Sequence, residues 1–246
     1  MPVMDEFKKE REALKHGTFK EKITYFFDYY KWHALIGAAG AAAACSIIGH
    51  VFFGKETALF TAIVNAVSLE PAEAYNAGFA EYAGIDTDDF NLVFDSSYHI
   101  IPGGFDRQSV AAKRKLMMNI AANEIDVFLA DETAMEQYAY SELFLDLREL
   151  LSEEQLEKYS PHFYYMDRSA VGKITDTPGA AETAPAEHPD PRHPEAMDDP
   201  VPVGIYLDNA AALKESYYFP GDAIVGVVVN TKRPLTASRY IDYILQ

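Results

Sequence analysis

One cysteine, Cys45, is all the chain has, so no disulfide can form within it. That fits a cytosolic protein and equally a bacterial surface domain built without disulfides. Basic residues are scarce: 21 Lys and Arg stand against 38 Asp and Glu, a net charge of −17. The deficit falls on one part of the chain. Residues 1–31 hold seven basic and six acidic residues, whereas 55–246 hold 14 and 32, a net of −18. So acidic a globule has no general attraction for nucleic acid, and no nucleic-acid partner is expected. Catalytic motifs are missing too. There is no nucleophile elbow, no phosphate-cradling glycine loop and no HExxH. The glycines of IPGGF (101–105) read as a turn. Asp88-Asp89 and Asp131-Glu132 are pairs that 38 acids produce by chance. Neither an enzyme nor a cofactor is expected.

Charge is absent altogether from WHALIGAAGAAAACSIIGHVFF, residues 32–53. As a helix these 22 residues would cover roughly 33 Å, matching a hydrocarbon core of ~30 Å. Tyr25, Phe26, Phe27, Tyr29, Tyr30 and Trp32 crowd the near side, where an interfacial aromatic belt belongs. A soluble core helix normally keeps one polar stripe, and this run has none. A cleaved signal peptide would need an unusually long charged region before it. Ala42 stands where a lipobox normally has Leu, and the residues after Cys45 turn apolar again, which argues against lipidation. A transmembrane signal-anchor is therefore expected over 32–53. Lys15, Lys20, Lys22 and Lys31 flank it on one side, while Lys55 stands alone on the other until Arg107. That asymmetry predicts a cytoplasmic N-terminus, with an amphipathic helical segment over 1–31, and an extracellular domain over 55–246.

Beyond the run, strand-like and helix-like stretches alternate. ALFTAIVNA (58–66), FNLVFDSSYHI (90–100) and IDVFLAD (125–131) read as strands. Residues 70–84, ending in Gly84, then 106–124 and 133–141 read as helices, as does a segment over 144–159 with a capping box at Ser152 and Gln155. Such alternation implies an α/β domain with a mostly parallel sheet and flanking helices. Residues 168–202 carry seven of the 13 prolines and few large apolar side chains, so they read as a flexible insertion. Its His188, His193, Glu195, Asp198 and Asp199 match no standard metal motif. The pattern then resumes with strands over 201–207 and 223–231, a helix over 209–219, and a last helix over 233–245 with Pro234 in its first turn.

NIAANEIDVFLADETAMEQYAYSELFLDLRELL (119–151) resembles the extracellular solute-binding proteins of ABC transporters, in the class that binds sugars and oligosaccharides. The likeness lies in a helix with a small-residue end, an Asp-Val strand, a helix with Tyr-Ala, and a Leu-x-Asp-Leu segment. VVVNTKRPLTASRYIDYIL (227–245) resembles the strand and helix that return to that family's first lobe. The resemblance implies a periplasmic-binding-protein-like fold and, as partners, a small solute or an ABC permease subunit. It also implies two lobes. Here the chain has about 35 Pro-rich residues where the second should begin, so a single lobe is expected.

In open parallel sheets a ligand sits beyond the carboxyl ends of the strands. Those ends carry Asn65, then Ser96, Ser97 and Tyr98, then Asp131, Glu132 and Thr133. Their amide, hydroxyl and carboxylate groups suit a hydroxylated solute, and Tyr98 could stack on a sugar face. The same residues have plainer readings: Asn65 as a turn residue and Asp131 as a helix N-cap. Two functions stay open, a solute- or transporter-binding lobe and a non-catalytic envelope interaction module.

Overall fold

The computed structural model describes residues 18, 20, 32, 33, 35–46, 55–69, 72–101, 106–171, 188–208 and 210–246. It divides into two compact units, Met1–Gly54 and Lys55–Gln246. In the first, residues 32–33 and 35–46 are helical, and Trp32, Leu35 and Ile36 are exposed. Among the described residues no helix is long and apolar enough to cross a membrane. The expected span over 32–53 is thus not seen as one helix: its described part ends at 46, and 47–53 lie outside the described residues. The expected helical segment over 1–31 lies outside them too, apart from Thr18 and Lys20.

The second unit runs β1 (Glu56–Val64), β2 (Val67–Ser68), α1 (Ala72–Ala83), β3 (Phe90–Tyr98), α2 (Arg107–Ala121), β4 (Val127–Asp131), α3 (Glu132–Ala139), α4 (Leu147–Leu150), α5 (Glu153–Tyr159), β5 (Phe163–Asp167), β6 (Pro200–Tyr206), α6 (Ala211–Ser216), β7 (Tyr217–Tyr218), β8 (Ala223–Val227) and α7 (Pro234–Ile244). Six strands form one sheet in the order β3-β1-β4-β8-β6-β5; β2 and β7 pair as a separate short ribbon. β1 lies parallel to β3 and β4, while the β4–β8, β8–β6 and β6–β5 ladders are antiparallel. The fold is α/β, but the sheet is mixed. The expectation of mostly parallel strands holds only for β1, β3 and β4. After β4 the helices lead to the far edge at β5, and β8 then inserts against the run of its neighbours. Alternation in the sequence does not encode that reversal.

Local signals placed most helices. Gly84 ends α1 at φ +64°, a conformation that favours glycine. Asp106 caps α2, accepting from the Gln108 and Ser109 N–H groups. Ser152 and Gln155 form the capping box of α5, and Pro234 opens α7. β4 shows why IDVFLAD reads as an unbroken apolar run. Val127 and Leu129 enter one core with Tyr75, Phe79 and Tyr240; Phe128 and Ala130 enter the other with Leu116, Met135 and Phe144. In the first core Phe79 meets Tyr240 edge-on at 5.1 Å, and the Tyr75 and Tyr240 hydroxyls lie 2.9 Å apart.

The insertion expected to be flexible over 168–202 is folded where it is described. Residues 188–199 form a strap against the sheet, with Met197 buried. The Tyr165 N–H donates to the Pro191 carbonyl at 3.1 Å. Pro200 and Pro202 lie inside β6, level with β5; β8 pairs only with Ile205 and Tyr206 of that strand, so no ladder bond is lost on that side. Residues 172–187, the middle of that stretch, lie outside the described residues.

Asp167 is its anchor. The carboxylate accepts from the backbone N–H of Ser169 (2.9 Å), Asp198 (3.2 Å) and Asp199 (3.1 Å). Burial alone would raise its pKa, but these donors win and hold it below the usual carboxylate range. A depressed folded-state pKa contributes stability that is present above the unfolded value and lost as pH falls through the folded one. Wild type is therefore expected to lose more stability than Asp167→Asn as pH drops below about 4, measured by urea melts across pH. Equal losses would show that this carboxylate does not hold the strap.

Candidate functional site

The ends of β1, β3 and β4 share one rim of the sheet. Register places the start of β8 and the end of β6 on the same rim, through Asp131↔Ala223 and Tyr206↔Ile224. Asn65 turns the chain there at φ +59°, a conformation Asn tolerates better than most residues. Its Nδ2 donates to Asp131 Oδ2 at 3.2 Å, and its Oδ1 accepts from the Ile100 N–H at 2.8 Å. Asp131 Oδ1 accepts from the Ala134 N–H at 2.9 Å and so caps α3. Asn65 and Asp131 are therefore brought together, and each polar atom of both side chains already has an internal partner.

The other predicted residues scatter. Glu132 accepts from the Tyr206 hydroxyl at 3.1 Å. Thr133 is exposed and Ser96 is half-buried. Ser97 accepts from Lys115 Nζ at 2.9 Å, beside the 2.6 Å Lys115–Asp95 ion pair. Tyr98 is fully buried, and its hydroxyl accepts from Asn119 Nδ2 at 2.8 Å. Stacking of Tyr98 on a sugar face is thus ruled out in this fold: the pleat that turns Ser97 outward turns Tyr98 into the core. That burial raises the Tyr98 pKa, with the nearby Asp95 adding to the effect.

Sequence reading missed a second group on this rim. Arg192, from the strap, lies over the Tyr206 ring at 3.5 Å and bonds Asp222 at 2.9 Å, with Asp208 at 3.7 Å. Asp208 and Asp222 also line a pocket of about 340 Å³, walled by Leu207, Tyr217, Tyr218 and Phe219. The aromatic triplet at 217–219 was the one available signal, and it reads as helix by periodicity. It breaks into β7 because Tyr217 and Tyr218 pair with Ser68 and Val67.

Among the described residues no group of three His, Cys, Asp or Glu side chains is placed to hold a metal ion. His188 stacks on Tyr140, ring centroids 3.5 Å apart, and meets Glu136 at 2.9 Å. His193 instead pairs with Glu195 at 2.8 Å. Asp198 and Asp199 turn their N–H groups to Asp167.

Asp131→Ala is expected to cost about 1–2 kcal/mol, from the lost cap and the stranded Asn65 amide. Asp131→Asn keeps a capping oxygen and should cost less. Chemical denaturation compares them, and equal stability of wild type and Asp131→Ala would remove the structural role. No protein-family model matches the chain, and no curated protein matches it.

Proposed function

We propose that residues 55–246 are a single lobe resembling those of sugar-class solute-binding proteins, and that it serves as a non-catalytic interaction module of the cell envelope. In this reading residues 32–53 anchor it as a single-pass span, with the N-terminus cytoplasmic and the domain outside. The lysine asymmetry around the apolar run supports that orientation. One observation carries the choice of module over receptor. The strand-end groups that would greet a solute are spent inside the domain: Asn65 on Asp131 and Ile100, Asp131 on α3, Ser97 on Lys115. A solute would have to displace these bonds, and it would have no opposing lobe to close over it.

The solute-binding reading keeps one specific support, the pocket beside Tyr217, Tyr218 and Phe219. A thermal-shift screen of the full chain against pools of sugars, amino acids and short peptides separates the two. The module reading expects no shift from any pool, and a protein neighbour trapped by crosslinking in membranes. A site filled at 100 times its Kd would add about 2.7 kcal/mol, and such a dose-dependent shift would overturn it.

A further inference from the structure

Helix α2 is out of character with the domain that carries it. Residues 55–246 hold only 14 Lys and Arg, yet Arg107, Lys113, Arg114 and Lys115 fall within nine residues of one another. No acid occurs between 107 and 121. Lys115 is tied to Asp95 and Ser97. Arg107, Lys113 and Arg114 are exposed and make no ion pair among the described residues. Ser109, Ala112 and Leu116 face the core. The outward stripe carries Val110, Met117 and Met118 at 43%, 47% and 65% exposure. An acidic protein has no compositional reason to gather free cations around exposed apolar side chains on one helix.

We infer that this face of α2 docks onto an anionic lipid surface. The inference rests on the anchor reading, because Gly54 alone separates Lys55 from the apolar run. So short a tether would hold the domain at high effective concentration over the bilayer. Charge complementarity selects the occupant: three unpaired cations meet lipid phosphates while Val110, Met117 and Met118 enter the headgroup boundary. The domain's remaining acidic surface is repelled, so the contact is oriented by this one helix.

The test uses the full chain carrying Cys45→Ser and Met118→Cys, labelled at 118 with an environment-sensitive dye. It is reconstituted in nanodiscs of phosphatidylcholine alone or mixed with phosphatidylglycerol. The expected result is a blue shift only with phosphatidylglycerol, reversed by molar salt and lost in R107E/K113E/R114E. Three cations at an anionic surface correspond to roughly a hundredfold in partitioning. Equal signals in the two lipids would overturn the inference. So would a shift that follows protein-to-disc ratio, which marks a second copy, or one produced only by added polyglutamate, which marks an acidic polypeptide. Alkaline carbonate extraction reads the anchor separately. A chain that washes off fails the anchor reading, and co-sedimentation of that chain with phosphatidylglycerol vesicles then decides the α2 contact alone.

Discussion

Arg233→Ala is expected to lower the unfolding free energy by about 3–5 kcal/mol. Its guanidinium lies 2.5 Å from the carboxylate of Asp126, a fully buried side chain at the head of β4. The same carboxylate accepts from the Phe60 N–H at 2.8 Å and the Thr231 hydroxyl at 2.6 Å. Around it the Asp126 N–H donates to Phe60 O, and its carbonyl accepts from the Val228 N–H, both at 2.9 Å. One acid therefore ties β1, β4, the end of β8 and the approach to α7. Removing the arginine leaves a buried negative charge with neutral donors only. Against a total stability of about 5–15 kcal/mol that is a large fraction. Urea melts should show a reduced midpoint at unchanged slope. A double replacement, Asp126→Leu with Arg233→Met, is expected to recover part of the loss, because it removes the stranded charge as well. A single-variant cost under about 1 kcal/mol would mean that water reaches the carboxylate.

The second large effect is at Gly204 and Gly226. Gly→Ala within a strand is ordinarily mild or favourable, since it reduces the freedom of the unfolded chain. Here the sign should reverse. A Cβ on Gly204 would stand 2.7 Å from Met135 Cε, 2.8 Å from Ile224 Cγ2 and 3.1 Å from the Val225 carbonyl. One on Gly226 would stand 2.8 Å from the same Met135 Cε, 3.0 Å from Phe144 Cδ1 and 3.1 Å from the Val203 carbonyl. The two glycines form a notch on adjacent strands, and Met135 of α3 is seated in it. Each alanine is expected to destabilise by about 2 kcal/mol through overpacking. In a Met135→Ala background the same substitutions should cost less, since the methyl they strike is gone, although Ile224 and the carbonyls remain. Thermal melts arranged as a double-mutant cycle measure that coupling. Additive losses would mean that Met135 moves aside freely and α3 is not positioned by the notch.

Met135 also illustrates what could be read in advance. Its helix is legible from Asp131 and the apolar spacing after it, but nothing in the sequence pairs Met135 with two glycines some 70 and 90 residues later. Local chemistry was readable in places: Gly84, Ser152-Gln155 and Pro234 all act where their types predict. Direction and neighbourhood were not. β5 went unseen although Ser160-Pro161 precede it, because FYYMD is only five residues long and runs straight into the Pro-rich segment. The described strap, 188–199, is tied to Asp167, Glu136 and Asp222 and to the Tyr165 N–H by hydrogen bonds, which no hydropathy pattern records. At the rim, Asn65 and Asp131 were correctly placed at strand ends. Their meeting, and Arg192 arriving from the strap, depend on contacts between distant parts of the chain.

The position of β8 has a consequence for how the domain comes into being. Its residues, 223–227, are the last of the six sheet strands in chain order yet occupy the middle of the sheet, between β4 and β6. Until they emerge from the ribosome, β4 and β6 have no partner on their inner sides, and the two halves of the sheet cannot join. The nascent domain must therefore wait, nearly complete, with two open strand edges exposed to aggregation. A chain stopped short of Ala223 would lack the strand that joins the halves, a stricter dependence on synthesis through β8 than a sheet assembled in chain order would impose.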